Sequence, residues 1–233
     1  MVAEWKVDPE VESALWAEIR ADAIRAAHEA GGGRMLDLGG AAGSFTHYIS
    51  SKVPGYKCVS IDITRPNVEP VCDFVMGDAL RLPFRDSTFQ VVAARAVLHH
   101  FPRSLGESMA ELRRVLVPEG RLIIEEPCSG NPLAAIARKA FPTDRHDPGE
   151  RPVAAGVMAE AVRACFNAVE VKHYFLASYL VPHVVSRMPD ALKSLARHLG
   201  MAVYRADRRV LNSSHLARRA AAYVHISAIK GKK

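Results

Sequence analysis

With 233 residues, 25.5 kDa, 49% hydrophobic residues and a mean hydropathy near zero, the chain is long enough for one well-filled domain but leaves little room for a second independent one. No stretch reaches the ~18 continuous apolar residues of a membrane-spanning helix, and Met1–Glu12 carries Glu4, Asp8, Glu10 and Glu12, so neither a signal peptide nor an anchor is expected at its start. Cys58, Cys72, Cys128 and Cys165 lack C-x-x-C spacing, which argues for reduced thiols in a cytoplasmic protein and against a disulfide frame or a metal site.

In chain order, Val11, Leu15, Ile19 and Ala23 recur at four-residue spacing behind Asp8-Pro9, a capping residue followed by a proline whose missing N–H costs nothing in a first turn. They predict an opening helix that ends at Gly31-Gly32-Gly33. Short apolar runs then alternate with helical stretches. Strands are expected at Arg34–Leu38, Lys57–Ile61, Val71–Val75, Phe89–Ala94 and Arg121–Glu125, with a helix over Ser44–Val53. A third helix starts at Ser104, where Ser104 and Glu107 have the spacing of a capping box, and it turns at Pro118-Glu119-Gly120. Strands joined by helical crossovers imply a parallel sheet covered on both faces. Prolines 127, 132, 142, 148 and 152 punctuate the following stretch. A helix near Val153–Phe166, a strand near Ala168–Leu176, a helical insertion over 179–217 broken by Pro182 and Pro189, and a strand at Ala221–Ile229 complete the chain.

The densest signal is Asp37-Leu38-Gly39-Gly40-Ala41-Ala42-Gly43, where a strand breaks into a small-residue turn and then a helix, so that bare backbone N–H groups face a ligand. Further features stand at the ends of the next strands, where ligands gather in open α/β sheets. Asp62 lies about 20 residues past the turn, the spacing at which an acid accepts ribose hydroxyls. Gly77-Asp78-Ala79 follows the third strand, and Arg95 to His100 follows the fourth. Glycine spacing does not match the G-x-G-x-x-G of nicotinamide-dependent enzymes.

On these residues the chain resembles class I S-adenosylmethionine-dependent methyltransferases of the small-molecule type that includes quinone-biosynthesis enzymes, over about Met35–Glu126. The resemblance implies a Rossmann-like α/β sheet, mostly parallel with an antiparallel C-terminal strand and helices on both faces. Residues 1–233 would form a single domain: an N-terminal helix over 1–30, a cofactor half over 31–126, and a substrate-facing half over 127–233 with a helical lid. It implies S-adenosylmethionine as cofactor. Asp37 would face its methionine end, Asp62 its ribose and Asp78 its adenine. Gly39, Gly40, Ala41 and Gly43 would approach it, Ile63 and Ala79 would flank the adenine, and Arg95 would pass the methionine moiety. Ala41 replaces the family's middle glycine, and Gln90 stands where many relatives have an acid.

Methyl transfer from a sulfonium is an in-line displacement that mainly needs positioning. A base is required only where the acceptor keeps its proton. His99 and His100 are the candidates, with a packed helix-start role as the alternative. His146, Tyr174 and Tyr179 are candidate acceptor contacts.

From Arg187 to Lys233 there are eleven lysines and arginines against two acids, a net +9, which leaves −3 for the rest of a chain whose total is +6. Leu192, Leu195, Ala196, Leu199 and Val203 give that basic region an apolar side. Such a segment suits an anionic membrane surface, or a lid over an apolar substrate. The expected acceptor is a small, hydrophobic or lipid-like molecule. RNA (tRNA or rRNA) is the alternative that the basic tail supports, and a non-catalytic cofactor-binding protein is the second. Oligomeric state leaves no mark in the sequence.

Overall fold

A seven-stranded sheet in the order β3-β2-β1-β4-β5-β7-β6 organises the computed structural model, which describes residues 7–140 and 151–232. In chain order the elements are α1 (Pro9–Ala30), β1 (Gly33–Leu38), α2 (Ser44–Lys52), β2 (Tyr56–Asp62), β3 (Asp73–Met76), β4 (Phe89–Arg95), α3 (Leu105–Val115), β5 (Leu116–Pro127), α4 (Pro132–Ala140), α5 (Ala155–Cys165), β6 (Asn167–Tyr174), α6 (Val181–Ser186), α7 (Asp190–Ser213), α8 (His215–Arg219) and β7 (Tyr223–Ile229). Strands β1 to β5 pair in parallel. β7 runs the other way beside β5, since Glu119 and Gly120 bond to Lys230 at one end and Cys128 bonds to Ala222 at the other. The expected α/β architecture is therefore present.

Chain contacts divide the protein into two units. One comprises Ala21–Glu126, Gly156–Lys172 and His225–Lys233. Its core joins Ala23 and Ala27 of α1, Met35, Phe45, Ile49, Val91 and Ile123, all of them buried. Met35–Leu38 of β1 and Val91–Ala94 of β4 form unbroken buried runs because both faces of the sheet are covered there. The other unit comprises Met1–Arg20, Pro127–Ala155 and His173–Val224. Val11, Leu15 and Ile19 pack there with Tyr174, Phe175, Tyr204 and Tyr223. Trp16 stands edge-on to Phe175 at 5.2 Å and to Tyr223 at 4.7 Å. Asp8 caps α1 by accepting the Val11 N–H at 3.1 Å.

Two local expectations are corrected. Ser104 sits at φ −112°, ψ 22° and makes no side-chain cap bond, so there is no capping box with Glu107. Glu111, one turn on, instead accepts the Leu82 N–H at 2.9 Å and pairs with Arg114. Pro118-Glu119-Gly120 does not separate a helix from a strand but lies inside β5. Five steps from Leu116 to Arg121 answer two from Phe89 to Val91, an irregularity that absorbs the turn, with Glu119 at φ 62°. The 179–217 segment is helical as expected, a short 3₁₀ turn at Ala177–Leu180 leading into α6, α7 and α8.

Candidate functional site

The small-residue turn is shaped by positive backbone angles. Gly39 lies at φ 62° and Gly43 at φ 79°, and a Cβ on Gly39 would overlap the Val97 side chain. Ala41 takes the same left-handed region at φ 44°, a conformation that costs an alanine about 1 kcal/mol. Its N–H is held by Asp62 Oδ2 at 3.1 Å, and its carbonyl accepts the Ser60 hydroxyl at 2.8 Å. The turn is thus fastened to the end of β2 rather than to its own strand. Val71 N–H adds a third tie, donating to Ala42 O at 2.9 Å.

Beside this turn lies a cavity of about 410 Å³ lined by residues that include Gly39, Asp62, Ile63, Asp78, Ala79 and His100. Parallel register explains the convergence. Leu38 pairs with Ile61 and Asp62 with Met76, so successive strand ends finish at one edge of the sheet. Asp62 Oδ1 also accepts the Thr64 N–H at 3.3 Å, and Asp78 Oδ1 accepts the Leu80 N–H at 2.8 Å. Each bond fixes a carboxylate at the cavity. Ile63 is 73% exposed at its rim, unusual for so apolar a side chain and suited to covering a flat ring.

Asp37, Gly40, Ala41, Gly43 and Arg95 are not among the residues lining the cavity. Asp37 is buried and faces α2, where Thr46 donates to it through both N–H and Oγ1 at 3.2 Å. Burial pushes its carboxyl up to about 6, against the pull of the Thr46 bonds and of Arg95. A Cβ on Gly40 would overlap that carboxyl, which gives Gly40 a packing reason of its own. The Arg95 guanidinium stacks on Phe45 at 4.5 Å.

The two histidines separate in role. His99 is buried and its Nδ1 meets Glu126 Oε2 at 2.7 Å, whereas His100 lines the cavity. Their rings lie 4.4 Å apart at 30°. Glu126 Oε1 accepts the N–H groups of Val97 and Leu98 at 2.6 and 2.7 Å. Sequence reasoning missed Glu126. Its one signal was a pair of adjacent acids, Glu125-Glu126, closing an otherwise apolar strand.

Tyr174, expected as an acceptor contact, is corrected to a core residue. It has no exposed surface, and the Arg208 guanidinium covers its ring at 4.3 Å. Tyr179 borders a small cavity of about 80 Å³ with Trp16 and His183 in the same unit. His146 lies outside the described residues. Gln90 serves strand structure, accepting the Arg34 N–H at 2.6 Å.

Among known proteins, residues 36–124 match the family model described as a methyltransferase domain. An uncharacterized methyltransferase of Bacillus subtilis (strain 168), YcgJ, is 30% identical over 106 residues, 39% of each chain. The ubiquinone/menaquinone biosynthesis C-methyltransferase UbiE of Ruegeria sp. (strain TM1040) is 31% identical over 107 residues, 41% of this chain and 42% of that protein. The matched stretch thus spans less than half the length of these curated relatives. The crystal structure of a SAM-dependent methyltransferase from Archaeoglobus fulgidus superposes with a TM-score of 0.59 at 16% identity, covering 94% of this chain and 97% of the other.

This is the class I methyltransferase fold. Within that fold the residues at the cavity fit S-adenosylmethionine in kind. Two carboxylates stand at its polar positions, a glycine turn approaches without side chains, and Ile63 and Ala79 offer apolar surface beside Asp78.

Proposed function

We propose that this chain is an S-adenosylmethionine-dependent methyltransferase acting on a small, uncharged, apolar acceptor. The observation that carries the reading is the meeting of Asp62 and Asp78 with the Gly39 backbone around one cavity. Asp62 would accept the ribose hydroxyls through lone pairs left over from Ala41 and Thr64, since a carboxylate offers about four acceptor sites. Asp78 would receive the adenine amine, with Ile63 and Ala79 against the ring faces. When bound, the cofactor supplies an electrophilic methyl group on a sulfonium.

What remains for the protein is positioning and exclusion of water. Val97, Phe101 and Leu38 wall the rest of the cavity with apolar surface, which supports an acceptor without charge. His100 is the ionisable side chain there besides the two acids, and it is placed to take a proton from an acceptor hydroxyl or amine. His99 is committed to Glu126 and holds the loop in place. UbiE, a relative over this same half, is named for quinone biosynthesis, which agrees with an apolar acceptor.

The test is transfer of a labelled methyl group to an acceptor panel of apolar phenols and quinols beside tRNA and rRNA. The proposal expects label in the apolar fraction, with little dependence on salt. Label in RNA that falls steeply with added salt supports the RNA alternative instead. Cofactor binding without transfer to any fraction supports the non-catalytic one.

A further inference from the structure

Helix α7 leaves an apolar stripe uncovered. Leu192, Leu195, Leu199, Val203 and Val210 are 37–60% exposed and fall on one face at helical spacing, about 27 Å from end to end. Five large apolar residues on one exposed stripe exceed what scattered surface leucines explain. Beside the stripe, Leu180 before α6, Val184 within it and Met188 just after it contribute to a groove of about 410 Å³ whose lining has no charged side chain. Gly200 lets Val181 sit directly against the α7 backbone, so the two helices meet closely there and the groove opens beside the contact.

Charge around the stripe is one-sided. At 100° per residue, His198, Arg205 and Arg209 line one border of it, and all three are exposed. The other cations of the helix are occupied: Lys193 pairs with Asp190, Arg197 with Asp8 and Glu10, and Arg208 with Glu18. Of the two acids of α7, Asp190 is held by Lys193, and Asp207 is buried and accepts the N–H groups of Leu176 and Ser178 at 2.8 Å. No carboxylate of this helix is left to answer Arg205 and Arg209.

We infer that the α6–α7 face docks on an anionic lipid bilayer, its leucines entering the acyl boundary while Arg205 and Arg209 meet the headgroups. A bilayer satisfies both halves of the surface together. A second copy would cover the leucines but present the same cations again. The inference is independent of the identity of the methyl acceptor.

Co-sedimentation of the full chain with vesicles tests it, using phosphatidylcholine alone and phosphatidylcholine mixed with phosphatidylglycerol. Wild type should pellet with the mixed vesicles and not with phosphatidylcholine alone, and added salt should release it. Leu195→Glu/Leu199→Glu should abolish pelleting, and Arg205→Glu/Arg209→Glu should lower the partition coefficient by roughly 30-fold or more, at about one tenfold step per 1.4 kcal/mol. Cooperative thermal unfolding checks that each variant folds, and the arginine pair, being exposed, stands as the test should the leucine pair not fold. Failure of wild type to pellet with mixed vesicles overturns the inference, as does unchanged pelleting of either double variant. A wild-type dimer in sedimentation velocity that Leu195→Glu/Leu199→Glu converts to monomer, without vesicle binding, assigns the face to a second copy.

Discussion

Glu126 and His99 form a buried pair in which one carboxylate oxygen takes the imidazole Nδ1 at 2.7 Å while the other holds the main-chain N–H groups of Val97 and Leu98. A carboxylate acceptor requires that Nδ1 carry the proton, so the pair fixes the tautomer of His99 as well as the path of the loop. The same loop brings Val97, His100 and Phe101 to the cavity wall. Replacing Glu126 by Ala leaves two buried N–H groups without an acceptor, at about 1–3 kcal/mol each. Urea unfolding of Glu126→Ala should show a loss of about 3 kcal/mol, and Glu126→Gln, which keeps one carboxamide oxygen, a smaller one. Equal stability of wild type and Glu126→Ala would mean that the loop is held by other contacts.

His100 and His99 should respond differently to truncation. In the proposed enzyme His100→Ala keeps the fold and, where the acceptor carries its own proton, lowers kcat with KM little changed. His99→Ala should act through stability, with a lower Tm and a turnover that survives in the folded fraction. A complete loss of activity in folded His99→Ala would give that ring a direct part in the chemistry.

Asp37 makes stability depend on pH. Its folded carboxyl titrates at about 6, above an ordinary value of 3.8, so between those values the folded chain binds the extra proton. Stability from this group is therefore greatest at low pH, declines as pH rises through that window, and levels off above about 6. The full effect is on the order of 3 kcal/mol. Thermal melts of wild type against Asp37→Asn should converge at low pH and separate toward neutrality, with the asparagine chain losing the Asp37-dependent slope. Parallel pH profiles for the two chains would contradict the assignment.

Ala41 tests the strain of the turn. Ala41→Gly removes the left-handed penalty while adding chain entropy to the unfolded state, for a net gain of up to about 1 kcal/mol. Gly39→Ala combines a left-handed φ with an overlap on Val97, and should both destabilise the chain and impair binding at the cavity. Its partial rescue by Val97→Ala would separate overlap from strain.

Much of this arrangement is legible in the sequence. Buried strands show as short apolar runs, and Asp62 and Asp78 were found because parallel register brings successive strand ends to one edge. Legibility failed where contacts are long-range. Glu126 reads as an ordinary strand-end acid until the fold sets it under the loop 96–100, and Tyr174 reads as an acceptor contact until Arg208, 34 positions away in sequence, closes over it. Ser104 shows the local limit. Capping-box spacing was right, but the 3₁₀ turn at Pro102–Ser104 holds its backbone in a geometry from which the hydroxyl makes no cap bond. Asp37 illustrates a different failure, since the sequence places it beside the turn but does not reveal that Thr46 donates twice to its Oδ2.

Calorimetric titration of S-adenosylhomocysteine, the demethylated form of the proposed cofactor, into wild type and Asp62→Ala addresses the cavity assignment most directly. The wild-type chain should bind with one-to-one stoichiometry, and folded Asp62→Ala should bind at least about tenfold more weakly, the loss of one charge-assisted hydrogen bond to the ribose. Absence of binding to folded wild type, or an unchanged affinity in Asp62→Ala, would contradict it.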